Sequence, residues 1–441
     1  MEDEARRRLK RLGVVKGARN LKAPETPVQI PGRDRLSQPV DRPPLLPDDG
    51  PPPPIEKLLP GSAEVSNERG SCLVWDRVYP LAHLHGGLPL QALLGWQPAG
   101  HAHLFHPEDA AIDFDYRQAL FIDTETTGLW GVGTIAFMVG VGFFEGDAFV
   151  VRQYFLRDHG EEAAMLQMLH ELAASRAALV SFNGRTFDLP LLDNRFIMNR
   201  MFSDLFDLPH LDLLLPARRV WRRRLGSVAL GALERNLLGI QRTQEDVPGM
   251  LIPQMYHDFL RHGDGRELVR VFYHNEQDIL SMVTVAANLA QLLAEPAAVA
   301  EPDDLLSLAR WHIRRQEYDE AETMLRQALA GEMPLALYQE LVQELAYLLK
   351  RTGRSDEAVK YWQQIAVTSL DSVLGHLELA KYYEWQRRDW GEAIYWTEQA
   401  LEIVGQMRPQ PPTPENWRQI ELLEDELRHR HARLERKSFH T

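Results

Sequence analysis

Cysteine is nearly absent from this chain of 441 residues, which contains Cys72 and no other. A single thiol excludes an intramolecular disulfide framework and a zinc site built from several thiolates. Chains that depend so little on cysteine are typical of a reducing compartment. The sequence therefore predicts a cytoplasmic protein.

Long apolar runs are also lacking. The amino-terminal stretch MEDEARRRLKRLGVVKG has no apolar segment of signal-peptide type. No later stretch offers about eighteen uninterrupted apolar residues, which is the length that a membrane-spanning helix needs. The expectation is a protein that is neither secreted nor inserted in a membrane.

Basic residues are outnumbered by acidic ones, 49 against 63, and the formal net charge is −14. This balance excludes a protein that coats nucleic acid through its overall charge, but it allows a local basic patch. In the segment ARRVWRRRLG, arginines would neutralise phosphates and the tryptophan would stack on an unpaired base. The predicted contact residues are Arg218, Arg219, Trp221, Arg222, Arg223 and Arg224. A solvated helix with its tryptophan in the core explains this segment equally well.

Composition and periodicity divide the chain into four regions. Residues 1–60 are rich in proline and charge, and they are predicted to stay extended because they bury too little surface to offset their ordering entropy. Residues 61–295 mix strand and helix patterns, and residues 302–405 carry a helical repeat. Residues 414–437 form a charged helix that would cap the repeats.

The second region has the pattern of an α/β domain. Strands are predicted in ALFIDTE, TIAFMVGVGFF and DAFVVRQYFL, and a Glu-Gly-Asp turn joins the last two. The helical spacing of EEAAMLQMLHELAAS is followed by a buried strand in ALVSFNG and by a short strand in HLDLLLPAR. Three antiparallel strands followed by alternating helices and strands predict a mixed sheet with helices on its faces.

The third region repeats one helical phrase, as YDEAETMLRQAL, GRSDEAVKYWQQI and DWGEAIYWTEQAL. Ala321, Ala358 and Ala393 hold equivalent positions at intervals of 37 and 35 residues. A small residue in each preceding helix would let paired helices approach closely. The pattern resembles the tetratricopeptide repeat, whose period is about 34 residues and whose stacked copies form a groove that binds protein. The alternative is a plain helical bundle.

Four acids and a histidine are the candidate metal-binding and catalytic residues. Asp123 and Glu125 end a strand two residues apart, so they share one face, where their repulsion favours a divalent cation between them. Asp188 follows the Asn-Gly turn of SFNGRTFDLPLL. Asp278 lies one helical turn after His274 in FYHNEQDILS, so these two side chains share a helix face. One such acid alone would be read as a surface or capping group, but four in this order favour a metal site.

The order D-x-E, N-x-x-x-x-D and a His or aromatic residue before a final Asp resembles the DEDD 3′→5′ exonucleases of the ribonuclease H-like superfamily. The segments ETTGLWGVGTIAFMVGVG, SFNGRTFDLPLL, IPQMYHDFL and YHNEQDILS, followed by repeats, closely resemble the YprB-type family over roughly residues 60–400. This resemblance implies an α/β ribonuclease H-like domain followed by an all-α solenoid of tetratricopeptide repeats.

The resemblance also implies an activity, the metal-dependent hydrolysis of single-stranded DNA or RNA from its 3′ end. His274 would accept a proton from the attacking water. Related exonucleases place Tyr four residues or His five residues before the last Asp, whereas here His274 holds the usual Tyr position and Tyr273 stays an alternative. Two Mg²⁺ or Mn²⁺ ions would be held by Asp123, Glu125, Asp188 and Asp278. The rival interpretation is a catalytically silent adaptor whose repeats recruit protein partners.

Residues beside the acids have expected roles in substrate binding or in turns. Thr126, Thr127 and Gly128 would let backbone amides approach the terminal nucleotide, or they form only a tight turn. Asn183 would orient Asp188 or contact substrate, although an Asn-Gly turn alone explains it.

Asp212 and a group of five histidines could also suggest metal binding, but the sequence does not favour that interpretation. Asp212 is expected to be structural or to support the site indirectly. Five histidines stand without a carboxylate or Cys at ligand spacing, and they are expected to be loop residues rather than zinc ligands. These are His83, His85, His101, His103 and His106.

Overall fold

The computed structural model describes residues 52–96, 114–128, 133–243, 246–368, 372–407 and 413–439. The strands in these ranges are β1 (Ala63–Asn67), β2 (Gly70–Pro80), β3 (Leu84–His85), β4 (Leu88–Pro89), β5 (Ala119–Thr126), β6 (Ala136–Glu145), β7 (Ala148–Phe155), β8 (Ala178–Ser181) and β9 (His210–Asp212).

Helices fall into two groups along the chain. The first group accompanies the strands: α1 (Ile55–Leu58), α2 (Glu162–Ala173), α3 (Asp188–Met198), α4 (Leu214–Leu225), α5 (Leu230–Leu233), α6 (Ile252–His262), α7 (Leu268–Ala294) and α8 (Pro296–Val299). The second group follows them: α9 (Pro302–Arg315), α10 (Tyr318–Leu329), α11 (Leu335–Arg351), α12 (Ser355–Thr368), α13 (Leu374–Tyr382), α14 (Trp390–Gln406) and α15 (Pro414–Ser438).

Seven strands form one mixed sheet in the order β1-β2-β7-β6-β5-β8-β9. The pairs from β1 to β5 are antiparallel, whereas β8 and β9 run parallel to β5. The predicted mixed sheet is therefore confirmed. The outer strands β1 and β2 were not predicted, because β2 buries four consecutive residues and then exposes its second half, which hides the alternation.

The central strand β5 is covered on both faces. Leu120 and Ile122 belong to an apolar core that includes α2 and α6, whereas Ala119 and Phe121 belong to a second core that includes α4 and α7. A strand that is buried on both sides reads as a continuous apolar run, which is why ALFI was recognisable. The polar residues at the end of β5 are therefore held in place between the two apolar cores.

The helix α7 is the one helix among the described residues that is long and apolar enough to suit a membrane span. Within its most apolar window, 61% is buried inside the fold. Its residues contribute to both cores. The composition of α7 is thus explained by burial between the sheet and the neighbouring helices.

The second helical group has the buried small residues that the repeat pattern predicted. They allow α9 with α10, α11 with α12, and α13 with α14 to pack closely, and they are Ala309, Ala321, Ala346, Ala358, Ala380 and Ala393. The region is all-α, and α15 packs on α14. Helix α9 also packs on α4 and adds Leu308 and Trp311 to the second core of the sheet.

One predicted boundary is wrong for residues 52–60. These residues were assigned to an extended tail, but Ile55 and Leu59 are buried in the first core. Ile55 packs closely on Gly265. A Cβ added to Gly265 would lie 2.5 Å from Cδ1 of Ile55. Burial of the apolar residues in the segment IEKLL therefore determines the structure here, in spite of the prolines that precede it. Residues 1–51 lie outside the described residues, as do His101, His103 and His106.

Candidate active site

Two acids lie at the carboxyl-terminal end of β5. Asp123 and Glu125 share a face because side chains alternate along a strand, and both pair with residues of β6. The register with β6 shifts between Glu125 and Thr126, so the regular ladder is interrupted directly after the second acid. The strand thus ends in a pair of neighbouring carboxylates, as predicted.

The other two acids approach the same point from α3 and α7. Burial, followed by the charges of Asp278, Asp188 and Glu125, raises the pKa of Asp123 well above its usual value. Burial also raises the pKa of Glu125 to about 8, although the charge of His274 opposes this shift. The charges of Asp188 and Asp278 thus make both Asp123 and Glu125 harder to ionise, and these four residues (Asp123, Glu125, Asp188 and Asp278) are called the acid tetrad.

Asp188 is the first residue of α3 and follows the turn after β8. Burial raises its pKa to about 6, against the hydrogen bond that Thr124 donates to its Oδ1. Asp212 holds the turn, since it accepts hydrogen bonds from the backbone amides of Asn183 at 2.8 Å and Arg185 at 3.1 Å. These hydrogen bonds are consistent with the structural role expected for Asp212.

A buried amide positions Asp123. Asn275 on α7 is fully buried and donates from Nδ2 to Asp123 Oδ2 at 2.8 Å. Its Oδ1 accepts a hydrogen bond from Gln153 on β7 at 2.9 Å, and Gln153 also donates to the carbonyl of Phe272 at 2.8 Å. This chain of donors fixes the amide orientation, so Asn275 presents its NH₂ group to the carboxylate.

Arg242 lies against Asp278. Its Nη2 donates to Asp278 Oδ1 and, at 2.6 Å, to Glu234 Oε1, while its Nε donates to Glu234 Oε2 at 2.7 Å. Glu234 is 1% exposed and accepts a further hydrogen bond from Ser281 Oγ at 2.6 Å. Ser281 is hydrogen-bonded in turn to His85 Nε2 at 2.8 Å. Glu234, Ser281 and His85 therefore form a buried hydrogen-bond network that holds the guanidinium.

His274 faces the acids as its spacing predicted. Its Nε2 lies 3.7 Å from Asp278 Oδ2, and its Nδ1 lies 2.7 Å from Asp246 Oδ1. Burial alone would lower the pKa of His274, but the hydrogen bond to Asp246 and the charges of Asp278 and Glu125 outweigh it and raise the pKa to about 9. In this state the imidazole carries a proton near neutral pH.

Tyr273 turns away from the acids. Its hydroxyl accepts a long hydrogen bond of 3.5 Å from the amide of Thr243. On an ideal helix it lies five residues before Asp278, off the face that His274 shares with that acid. Of the two alternatives, the structure brings His274 to the acid tetrad.

Comparison with known proteins agrees with this geometry. Residues 120–290, which contain all four acids, match the RNase H superfamily. Residues 305–336 match the tetratricopeptide repeat. Over 340 residues the chain is also 31% identical to the uncharacterized protein YprB of Bacillus subtilis strain 168. The aligned region covers 75% of this chain and 80% of that protein. The chain belongs to the YprB-type family. Its ribonuclease H-like fold followed by helical repeats is thus established.

Some site residues of this YprB-type protein were missed from the sequence. Arg242 and Asp246 belong to the segment between the π-helical turn Glu234–Leu238 and the short helix Gly249–Leu251, where no periodicity marks a buried role. Asn275 had a weak signal, because it lies three residues before Asp278 on the same side of a helix. A buried polar residue there needs a partner, and only the fold shows that Asp123 supplies it.

The predicted substrate-contacting turn is closed mainly by its own hydrogen bonds. Thr126 Oγ1 donates to the carbonyl of Gly128 at 2.8 Å, and Thr127 Oγ1 accepts from the amide of Ile135 at 3.1 Å. Asn183 has a left-handed backbone, with φ of 69°, and its Oδ1 accepts from Thr186 Oγ1 at 2.9 Å. These contacts fit the turn interpretations. Among the described residues, no atom lies within 4 Å of a Cβ built at Gly128.

The arginine segment on α4 is only partly available for a nucleic acid. Trp221 is 1% exposed and lies in the second core, so its predicted stacking on a base is wrong. Arg223 pairs with Asp303 and Glu340, and Arg224 pairs with Asp304. These two cations join α4 to the repeats, so their charges are accounted for by ion pairs within the chain. The exposed members of the segment include Arg218 and Arg222, whereas Arg219 is half-buried.

The donor set fits a hard divalent cation. All four ligands would be carboxylates, the oxygen donors that Mg²⁺ and Mn²⁺ prefer. Burial and then mutual repulsion raise the pKa of Asp123 and Glu125, and a bound cation would offset both effects. Among the described residues, no group of three or more His, Cys, Asp and Glu has ready coordination geometry. Three of the four acids instead accept hydrogen bonds, from Asn275, Thr124 and Arg242.

Proposed function

We propose that this protein is a metal-dependent 3′→5′ exonuclease that hydrolyses single-stranded DNA or RNA in the cytoplasm. The observation that carries the proposal is the convergence of the acid tetrad at the end of β5. Burial of several like charges is costly, and such perturbed groups concentrate at functional sites. The match of residues 120–290 to the RNase H superfamily supports a nuclease-like activity.

The acid tetrad would hold two Mg²⁺ or Mn²⁺ ions, which stabilise the attacking and leaving oxygens of an in-line displacement when bound. Asn275 and Thr124 keep Asp123 and Asp188 in fixed orientations through their hydrogen bonds. Each of these bonds uses one carboxylate oxygen and leaves the other oxygen as a ligand.

His274 is the proposed proton acceptor for the attacking water. Its Nδ1 lies 2.7 Å from Asp246 Oδ1, and its Nε2 lies 3.7 Å from Asp278 Oδ2. Donation from Nδ1 to Asp246 would leave Nε2 as the nitrogen that accepts a proton. Part of the rise in its pKa comes from the charges of Asp278 and Glu125. Neutralisation of those two acids would lower the pKa of His274 toward the range in which an imidazole accepts a proton.

The substrate strand would approach the backbone at Gly128, with the exposed Arg218 and Arg222 as further phosphate contacts. The tetratricopeptide repeats would recruit a protein partner through their groove, as stacked repeats of this kind commonly do. The nucleic-acid-binding and partner-binding parts of the chain would thus lie in different regions of its sequence.

A second function, that of a catalytically silent adaptor, is favoured by the contact between Arg242 and Asp278. A guanidinium at this acid satisfies it without a metal ion. An adaptor would need the repeats and the fold of the acid site, but it would not need divalent cations.

The test incubates purified protein with 5′-labelled single-stranded DNA and RNA in Mn²⁺, Mg²⁺ or EDTA. The Asp123→Ala, Asp278→Ala double variant is compared with Asp319→Asn, which changes an exposed acid on α10. We expect a metal-dependent ladder that shortens from the 3′ end and is absent in the double variant. Intact oligonucleotides in every reaction, together with no calorimetric binding of either metal, would favour the adaptor.

A further inference from the structure

The four acids differ in the kind of group that holds them. Asp123 accepts from the neutral amide of Asn275, and Asp188 accepts from the neutral hydroxyl of Thr124. Asp278 instead contacts the guanidinium of Arg242 and lies 3.7 Å from the imidazole of His274. Positive charge is thus concentrated on one side of the site, in contact with Asp278, and it also acts on Glu125.

Arg242 is held by contacts besides the one to Asp278. Glu234 binds the guanidinium through two hydrogen bonds of 2.6 and 2.7 Å, and this carboxylate is 1% exposed. Glu234 opens a π-helical turn, Glu234–Leu238, a local irregularity that recurs at functional sites. Its further hydrogen bond from Ser281 ties the anchor to α7. These contacts would hold Arg242 near the acids even when Asp278 binds another partner.

An arginine held in this way changes how Asp278 can serve as a ligand. A cation that approaches this carboxylate must share it with the guanidinium and is repelled by it at short range. The neutral donors at Asp123 and Asp188 impose no such repulsion. Asp278 is therefore a weaker ligand for a divalent cation than Asp123 and Asp188 are.

We propose that Arg242 competes with a divalent cation for Asp278 and so divides the site into a tight cation position and a weak one. The tight position uses the acids that are held by neutral donors, together with Glu125. The weak position requires Asp278 and is opposed by Arg242. This inference rests on the function proposed above, because it requires that the acid tetrad binds divalent cations.

The test titrates Mn²⁺ into the metal-free full-length protein, without nucleic acid, and follows free Mn²⁺ by electron paramagnetic resonance. The wild-type protein is expected to show two classes of binding with different affinities. In Arg242→Gln the weaker class should tighten at least about tenfold, because one unit charge beside the ligand is removed. Arg242→Lys, which keeps the charge but not the two-pronged contact, should lie between these proteins.

Two comparisons separate competition from a general loss of structure. Arg152→Gln removes another paired arginine, which binds Asp76 at 2.6 and 2.8 Å outside the site, and it should bind Mn²⁺ as the wild type does. Glu234→Gln removes the negative charge that partly balances the Arg242 guanidinium, so more positive charge acts on a cation at Asp278 and the weaker class should become weaker still. Structural damage would move Arg242→Gln and Glu234→Gln in the same direction.

The outcomes distinguish this inference from the proposed function. If the weaker class in Arg242→Gln is unchanged or weaker while the wild type binds Mn²⁺, competition by Arg242 is refuted and the metal-dependent function stands. If neither the wild type nor any variant binds Mn²⁺, the proposed function fails, and the inference fails with it.

Discussion

Asn275 and Gly140 are in contact at the centre of the acid site. The side-chain oxygen of Asn275 lies where a Cβ on Gly140 would be, since that atom would stand 1.9 Å from Oδ1. Asn275 reaches Asp123 at 2.8 Å because β6 has no side chain at this position. A glycine in the middle of a buried strand is thus explained by a close approach rather than by a turn.

Gly140→Ala should therefore disturb both stability and metal binding. The added methyl group displaces Asn275, and overpacking of this kind costs about 1–3 kcal/mol in the free energy of unfolding. Chemical unfolding measures the loss, and calorimetry with Mn²⁺ should show weaker binding because Asp123 is no longer oriented. Gly405→Ala, where no described atom lies within 4 Å, is the control. It should leave metal binding unchanged and should not lower the free energy of unfolding, because Ala favours a helix more than Gly does.

Stability of the metal-free protein should fall as the pH rises from about 4.5 to about 8. The pKa of Glu125 is raised from 4.5 to about 8, so the folded state binds a proton in this window that the unfolded state releases. A raised carboxylate pKa makes folding less favourable once the group ionises. Glu125→Gln should reduce the decrease in unfolding free energy between pH 5 and pH 8, measured in EDTA.

The matched control for this pH dependence is Glu415→Gln, which removes one charge from an exposed position on α15. It should keep the wild-type pH dependence. Equal slopes for Glu125→Gln and the wild type would contradict the assignment of the effect to Glu125.

A buried ion pair holds α3, the helix that begins with Asp188. Arg195 binds both oxygens of Glu162 at 2.6 Å, and their side chains are 10% and 7% exposed. Arg195→Ala should lower the free energy of unfolding by about 3–5 kcal/mol, because it leaves a buried charge without its partner. Arg428→Ala, in an exposed pair on α15, should cost at most about 1 kcal/mol. Similar losses in both variants would argue against a buried origin.

The exposed arginines of α4 should contribute to nucleic-acid binding. Replacement of both Arg218 and Arg222 by Gln is expected to weaken the binding of a single-stranded oligonucleotide. The slope of log K against log salt should fall by about 1.4, which corresponds to two phosphate contacts. The double variant Lys360→Gln, Arg436→Gln removes the same charge from other exposed positions and should bind as the wild type does. An equal effect in both double variants would exclude a local site.

Several features of the fold and site followed from the sequence alone. Side-chain alternation in ALFIDTE places Asp123 and Glu125 on one face, and helical spacing places His274 with Asp278. Both are properties of local backbone geometry, which a short segment determines by itself. The mixed sheet and the paired helices with buried alanines were predictable for the same reason.

The tertiary structure decided which groups hold the acids. Asn275 meets Asp123 across 152 positions of the chain, and Arg242 meets Asp278 across 36. Whether Trp221 faced solvent or the core depended on the packing of α4 against α9 and the sheet. Local periodicity assigns a residue to a face, but only the packing of distant segments determines what that face meets. In this protein it gives neutral donors to Asp123 and Asp188, and an anchored arginine to Asp278.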